Sequence, residues 1–234
     1  MIKFPIIDSH VHIFPDKIAS KAVQAIGEYY DIQMAASGTV NDLLSRGNKI
    51  GVKRYIVHSS ATTVAQVRVI NDFIVREVSA HEELIGFGTL HPQQSEEGIV
   101  SELARITAHN LLGIKLHPEF QGFSISDENM LPLFRAAEGK LPLLIHMGDP
   151  QKDSSHPGDL VRIIDAFPDL TIIAAHLGGY RMWEDSIRHL VGKNIYLDTS
   201  SALFFLGADA AIEIIRAHGI DRVLFGTDYP MWDH

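Results

Sequence analysis

The sequence predicts an α/β protein built as a (β/α)8 TIM barrel that lacks the final helix. Eight short apolar runs alternate with longer amphipathic segments along the 234 residues, and such alternation is typical of parallel strands joined by helices. Eight strand–helix units in this length approach the usual barrel size of about 250 residues. No linker or shift in composition divides the chain, so we expect one domain over residues 1–234.

Most of the predicted strands are rich in Val, Ile, Leu and Phe along their whole length, rather than at every second position. This pattern is typical of parallel strands that are buried on both faces. An open doubly wound sheet is the structural alternative, but no Gly-rich dinucleotide fingerprint follows the first strand. The predicted strands span residues 4–9, 54–59, 84–89, 111–117, 142–147, 170–176, 194–198 and 222–227.

The segments between the strands have the amphipathic pattern of helices. Asp127 is expected to be the N-cap of one helix and Gly139 its C-cap, and Gly219 is expected to end the last helix. Residues 30–50 are predicted to hold a loop and a short helix. The predicted helices span residues 16–29, 64–80, 96–109, 128–139, 159–167, 181–190 and 208–218.

Composition and charge narrow the classes of function. The net charge of −9 argues against a broad nucleic-acid surface. No apolar run approaches the roughly 20 residues of a membrane helix, so no membrane partner is expected. The chain has no Cys, which excludes disulfides and thiolate metal ligands. Together with the lack of an export signal at residues 1–5, this predicts a cytoplasmic protein.

Titratable residues recur at the carboxyl ends of the predicted strands, where the chemistry of barrel enzymes gathers. His10 and His12 are two residues apart in an extended segment, so both side chains leave the same face and can bind one cation. A third His and a carboxylate would complete a site suited to zinc, manganese, iron or nickel. Later strand ends carry Lys115, His117, His146, His176 and Asp228.

In combination, these motifs resemble the amidohydrolase superfamily, and more narrowly its amidohydrolase-2 branch. That branch includes metal-dependent hydrolases, lactonases and non-oxidative decarboxylases related to aminocarboxymuconate semialdehyde decarboxylase and resorcylate decarboxylase. The resemblance covers essentially the whole chain, and it implies a distorted (β/α)8 barrel with one divalent metal, zinc or alternatively manganese. The motifs are Asp8-Ser9-His10-Val11-His12, Lys115-Leu116-His117-Pro118, His146, Ala175-His176-Leu177-Gly178-Gly179 and Gly226-Thr227-Asp228-Tyr229-Pro230.

The resemblance also implies roles for individual residues. Asp228 would accept a proton from a water that the metal activates, and His176 would orient that water or the substrate, so both are predicted to be catalytic. Asp8 is predicted to hydrogen-bond the imidazole of a metal ligand. The metal ligands that the resemblance implies are His10, His12, His146 and Asp228.

Three more residues are predicted to bind a small-molecule substrate. Lys115 is expected to pair with a substrate carboxylate or oxyanion, and the alternatives are a carbamate that bridges two metals or a buried Lys paired with an acid. His117 is expected either to line the pocket or to be a structural histidine held by hydrogen bonds. Arg181 binds a carboxylate bidentately, or it pairs with Glu184 or Asp185 on the surface.

Three functions are compatible with this site. The preferred one is a hydrolase that uses a metal-activated water on an amide, ester or lactone, because the predicted loops contain no obvious aromatic cage. A carboxy-lyase that acts on an unsaturated or aromatic acid would use the same ligands. A non-catalytic barrel with a structural metal is less well supported, because His176 would be a fifth group beside a closed shell of four ligands.

The sequence stops soon after Asp228, where relatives continue with a helix that covers the last strand. Its absence would expose Ile7, Val223 and Phe225 on the outer faces of the first and last strands. Either the chain is truncated or another subunit covers this apolar area, since exposed patches of this kind mark interfaces. We therefore predict a homo-oligomer.

Overall fold

The computed structural model describes residues 4–234 and shows a ring of parallel strands inside a layer of helices. Its strands are β1 (Ile6–His12), β2 (Val52–His58), β3 (Leu84–Gly86), β4 (Gly88–Thr89), β5 (Ile114–Leu116), β6 (Leu143–Ile145), β7 (Ile172–Ala174), β8 (Tyr196–Asp198) and β9 (Val223–Leu224). Its α-helices are α1 (Asp16–Tyr30), α2 (Val40–Ile50), α3 (Val64–Ala80), α4 (Glu96–Ala108), α5 (Pro118–Gln121), α6 (Leu131–Ala137), α7 (Pro157–Ala166), α8 (Trp183–His189), α9 (Leu203–Leu206) and α10 (Ala208–His218).

Two parallel ladders, β1–β3 and β4–β9, share the barrel wall. Only Phe87 separates β3 from β4, and its amide donates to the carbonyl of Val57 at 2.9 Å, so the two segments form one barrel strand. At the other junction the amide of Ser9 donates to the carbonyl of Phe225 at 2.8 Å, and Val11 forms an isolated parallel bridge with Tyr229. This is the predicted (β/α)8 barrel, and within the described residues no helix follows β9.

Every predicted strand overlaps an observed strand, and several of them bury apolar runs. β5, β6 and β7 are buried at every position. The helix expected within residues 30–50 is α2, whose N-cap Thr39 accepts from the amide of Asp42. Asp127 lies at the predicted N-cap position, before the short helical turn Glu128–Met130 that leads into α6, but its carboxylate accepts from the amide of Ser124 at 2.8 Å and caps no helical amide. The short helices α5 and α9 were not predicted.

The outer faces of the first and last strands are partly open. Ile7 is 48% exposed and Phe225 is 40% exposed, as predicted, whereas Val223 is only half-buried and is not among the exposed side chains. The homo-oligomer stays a prediction. Among residues 4–234, the structure contains no helix that combines the length and the apolar character needed to cross a membrane.

A buried polar network fastens α3 to α4. Glu102 accepts hydrogen bonds from Asn71 at 2.7 Å and from Arg105 at 2.6 Å, and Arg105 also pairs with Asp72 at 2.6 Å. Burial alone would raise the pKa of Glu102, but the bonds from Arg105 and Asn71 hold it below the ordinary value of 4.5. The ionised carboxylate therefore stabilises the folded state.

We expect a Glu102→Gln variant to lose about 1–3 kcal/mol of unfolding free energy at pH 7, the usual cost of breaking a buried charged hydrogen bond. Because the folded pKa is depressed, this contribution is present above pH 4.5 and is lost as the pH falls below it. Urea unfolding between pH 7 and pH 3 should show the deficit shrinking in acid. Exposed Glu213→Gln is the control, and a deficit independent of pH would contradict the account.

Candidate metal centre and aromatic cleft

The strand ends bring ionisable side chains to one mouth of the barrel. His10 and His12 end β1, His146 follows β6, His176 lies just beyond β7, and Asp228 follows β9. His176 and Asp228 have left-handed backbones with φ of 61° and 67°. Non-glycine residues rarely adopt this conformation, and those that do are concentrated at functional sites.

Three side chains form a compact triangle of donor atoms, which we call the candidate metal centre. The Nε2 atoms of His10 and His12 are 3.3 Å apart, and each is 3.3 Å from Oδ1 of Asp228. Ligand atoms placed 2.0–2.1 Å from a tetrahedral zinc lie about 3.3–3.4 Å from one another. Buried His58 is close enough to be a fourth donor, and neither of its ring nitrogens has a partner within the described residues. This donor set fits a divalent metal.

Asp198, the last residue of β8, holds the ring of His10 from behind. Its Oδ2 accepts from Nδ1 of His10 at 2.8 Å, while its Oδ1 accepts from the amides of His176 and Ser200 at 3.0 Å. A proton on Nδ1 leaves the Nε2 lone pair of His10 directed at the centre. Burial alone would raise the pKa of Asp198, but the charge and the hydrogen bond of His10 hold it below its ordinary value.

Lys115 is fully buried beside the same centre. Its Nζ lies 3.0 Å from Nε2 of His10. Burial lowers the pKa of Lys115 to about 8, and burial together with this neighbouring amine lowers the pKa of His10 to about 4. His10 is therefore neutral at pH 7, the state in which an imidazole can bind a metal.

The imidazole of His176 lies between His146 and the candidate metal centre. Its Nδ1 is 2.9 Å from Nε2 of His176, and its Nε2 is 3.0 Å from the carbonyl oxygen of Gly148. Nδ1 of His176 is in turn 3.9 Å from Oδ2 of Asp228. The structure thus gathers three of the four predicted ligands at one point, and it connects His146 to them through His176. Metal binding by His146 stays a prediction.

An aromatic cleft lies beside the centre, and His12 and Asp228 both line it. His117 is stacked between Phe120 and His146, with ring centroids 4.0 Å apart in both pairs. The hydroxyl of Tyr30 is 3.1 Å from Nε2 of His117. The other aromatic and imidazole side chains that line the cleft are Tyr30, His117, Phe120, His146 and Tyr180.

Behind this cleft lies Glu119, a buried acid that the sequence analysis missed. Its Oε1 accepts from the hydroxyl of Ser155 at 2.5 Å. Its Oε2 has no hydrogen-bond partner among the described residues, and it lies 3.5 Å from Nδ1 of His117 and 3.8 Å from Nε2 of His146. Burial raises the pKa of Glu119 to about 7. The cleft therefore has a carboxyl group behind it that changes charge near neutral pH.

Comparison with known families supports the sequence motifs and this geometry. The sequence model of the family described as Amidohydrolase, of the amidohydrolase-2 type, matches residues 7–234. The chain belongs to the amidohydrolase-2 family. No curated protein matches it.

Solved structures share the fold of this amidohydrolase at low sequence identity. An uncharacterised TIM-barrel protein from Bordetella bronchiseptica is 17% identical, with a TM-score of 0.75 over 98% of this chain and 88% of that one. 5-Carboxyvanillate decarboxylase from Novosphingobium aromaticivorans, with bound manganese and 3-methoxy-4-hydroxy-5-nitrobenzoic acid, is 17% identical, with a TM-score of 0.73 over 99% and 89%. A probable 2-pyrone-4,6-dicarboxylic acid hydrolase from Acinetobacter baumannii is 16% identical, with a TM-score of 0.66 over 97% and 85%.

Two predicted site residues of this amidohydrolase lie elsewhere than expected. Asp8 does not bond a ligand imidazole: its carboxylate accepts from the hydroxyl of Thr227 at 2.6 Å and from the amide of His10 at 3.1 Å. It thereby joins β1 to the segment that carries Asp228, and Asp198 takes the place predicted for it. Arg181 is exposed, with its guanidinium 5.4 Å above the ring of Phe205, and it does not line the cleft.

We expect Asp198→Asn to weaken zinc binding by about 10–100-fold, the usual effect of losing a carboxylate that orients a ligand imidazole. The amide keeps the size of the side chain but removes the charge that faces His10. Competition with a chromogenic chelator would measure the dissociation constant, with exposed Asp209→Asn as the matched control. Equal affinity in the two variants would show that Asp198 does not act on the metal.

Proposed function

We propose that this amidohydrolase removes carbon dioxide from a flat aromatic or unsaturated carboxylic acid without a redox cofactor. The lining of the cleft is the observation that carries the proposal. Tyr30, Phe120 and Tyr180 line the cleft directly beside the candidate metal centre, so a flat ring that enters it would meet aromatic surface. The cleft has a volume of about 20 Å³ in this structure, so these side chains would move apart to admit the ring. The preference for hydrolysis depended on the lack of an aromatic cage, and that reason no longer holds. Similarity to the manganese-containing 5-carboxyvanillate decarboxylase supports the same reaction class.

His10, His12 and Asp228 would hold the metal, with His58 and His176 beside them. When bound, a divalent metal supplies a Lewis acid that attracts and polarises an oxygen of the substrate. The protein's own contribution is to position the ring. Burial raises the pKa of Tyr30 well above its ordinary value, so its hydroxyl stays protonated and can donate to a substrate oxygen.

Asp228 carries the proton in this proposal. Burial alone would raise its pKa, but His10 and His12 hold it well below the ordinary value. Such a weakly basic carboxylate becomes a strong acid once it takes a proton from solvent, and a ring carbon needs a strong acid. The bond from ring carbon to carboxylate breaks, its electron pair forms the new carbon–hydrogen bond with the proton from Asp228, and carbon dioxide leaves.

Hydrolysis of an ester, amide or lactone is the second candidate, and the ionised state of Asp228 favours it. An ionised carboxylate at this position accepts a proton from an attacking water and returns it to the leaving group. His176, whose Nδ1 lies 3.9 Å from Oδ2 of Asp228, would orient the substrate or the leaving group. The fold similarity to the probable pyrone dicarboxylic acid hydrolase is compatible with this reaction.

Release of labelled carbon dioxide tests the proposal. Manganese-loaded and zinc-loaded protein would be incubated with carboxyl-¹³C 2-hydroxybenzoate and 2,6-dihydroxybenzoate, and in parallel with dihydrocoumarin and 4-nitrophenyl acetate. We expect ¹³CO2 from an acid, and a KM about two- to tenfold higher in Phe120→Ala, which loses a stacking surface worth about 0.5–1.5 kcal/mol. Phe204→Ala, at an exposed ring on α9, is the control. Inert acids together with rapid lactone hydrolysis would favour the second candidate.

A further inference from the structure

An open groove runs between α1 and α3, outside the aromatic cleft. The residues of α1 that line it are spaced four, three and four positions apart, and this spacing places them on one face of the helix. α3 presents a matching face across the groove, which we call the α1–α3 groove. The lining stripes are Ile18, Ala22, Ala25 and Tyr29 on α1, and Gln66, Val69, Ile70 and Phe73 on α3.

The walls of this groove expose apolar side chains. Val69 is 67% exposed and Ile18 is 51% exposed, so at least half of each side chain is open to solvent. The groove has a volume of about 700 Å³, whereas the aromatic cleft has about 20 Å³, room for about one water molecule. Apolar surface gathered in a concave site is typical of ligand binding.

The α1–α3 groove adjoins the aromatic cleft. His12, Ile26 and Phe120 line both spaces and so form the wall between them. His12 also contributes its Nε2 to the candidate metal centre, so a molecule that passes these three side chains would extend from the centre into the groove. From Ile26 to Ile18, α1 rises about 12 Å along the groove wall.

A polar atom in the groove wall lacks a partner. The hydroxyl oxygen of Ser60 is buried and forms no hydrogen bond within the described part of the chain, and Ser60 lines the groove. Exposed Thr62 lines it as well, and its hydroxyl donates to the side chain of Gln66 at 2.9 Å. The groove is therefore mainly apolar along α1, while α3 adds Gln66, Asp72 and Arg76 to its apolar residues, and hydroxyl groups lie near the end of β2.

We propose that the α1–α3 groove binds an apolar arm of the substrate whose carboxylated head group lies in the aromatic cleft. The substrate class is then a carboxylic acid with an aliphatic or arylalkyl extension, long enough to pass His12 and Phe120 and to lie between Ile18 and Val69. This inference depends on the proposed function for the head group. It adds that the groove, outside the cleft, selects the substrate by the length of its arm.

Binding of 4-methyl-, 4-butyl- and 4-octyl-2-hydroxybenzoate to the manganese-loaded protein tests the inference by calorimetry, independently of turnover. Each methylene that is fully buried strengthens binding by up to about fourfold, so the butyl acid should bind at least about tenfold more tightly than the methyl acid. Val69→Asp places a charge in the groove and should remove this gain while the methyl acid binds as before. Val100→Asp is the matched control, because Val100 is 56% exposed on α4, outside the groove.

The outcomes separate this inference from the proposed reaction. Length-dependent binding without release of carbon dioxide would keep the groove and overturn the decarboxylase. Release of carbon dioxide from the methyl and butyl acids with equal affinity would overturn the groove alone. If affinity does not depend on length, and Val69→Asp but not Val100→Asp changes the mass seen in light scattering, a second copy of this chain occupies the groove instead. Ala22→Trp, which fills the groove without a charge, should reproduce the loss seen in Val69→Asp.

Discussion

An Asp228→Asn variant should lose at least about a hundredfold in kcat, the usual contribution of a positioned acid–base group. The amide keeps the size of the side chain, and its oxygen can still accept from the hydroxyl of Ser201, which lies 2.6 Å from Oδ2 in the wild type. It cannot carry a proton between solvent and substrate. The expected loss holds for both candidate reactions, because each passes a proton through this carboxylate.

Three measurements on the metal-loaded variant make this prediction specific. With enough metal added to fill the site, kcat should fall while near-ultraviolet circular dichroism stays close to wild type. Elemental analysis confirms that the site is filled, because Asp228 is itself one of the three donors, and this separates lost chemistry from lost structure and from lost metal. Asp209→Asn, in the exposed first turn of α10, should leave kcat unchanged. Near-normal turnover in a folded, metal-loaded Asp228→Asn protein would remove Asp228 from the catalytic machinery.

Most strands were predictable from the sequence because the barrel buries them on both faces. β6 and β7 carry apolar side chains toward both the barrel interior and the helices, so each appears as a continuous run, and β5 does so except at Lys115. The short helices α5 and α9 escaped prediction, because four-residue segments such as Leu203–Leu206 are too short to show helical periodicity.

The residues of the candidate site were predictable where their position at the end of a strand places them at the mouth of the barrel. His10, His12 and Asp228 come together because parallel strands end at the same mouth of the barrel. Asp198 ends a predicted strand in the same way, so the argument applied to the other strand ends would have found it. Glu119 lies beyond the strand end in α5, and its burial against Ser155 depends on packing between distant segments.

Side-chain direction was the part that the sequence could not supply. The ring of His146 is held by stacking on His117 and by contacts with His176 and Gly148, and these partners come from three separate segments. Lys115 was expected to meet the substrate, yet it lies against His10 and does not line the cleft. Spacing along a strand gives the face of a residue, while its partners depend on neighbours that only the folded chain brings close.

A His10→Ala/His12→Ala variant should purify without bound metal, whereas the wild type should hold about one divalent ion per chain. The double change removes two of the three donor atoms of the candidate metal centre and leaves only Oδ1 of Asp228. The remaining carboxylate and the nearby imidazoles do not have the spacing that fits a tetrahedral ion. Elemental analysis of protein purified without chelator would measure this. His109→Ala/His189→Ala, on the helix layer, controls for the loss of two imidazoles.

The number of ions also decides the role of Lys115. About one ion per chain agrees with an unmodified amine whose pKa of about 8 results from burial beside His10. About two ions would require a bridging anion, and a carbamate on Lys115 would supply it and favour a binuclear hydrolase over the decarboxylase. No bound ion, even after reconstitution with zinc or manganese, would leave the barrel intact and remove the chemistry assigned to it, because neither reaction proceeds without a cation to hold the substrate oxygen.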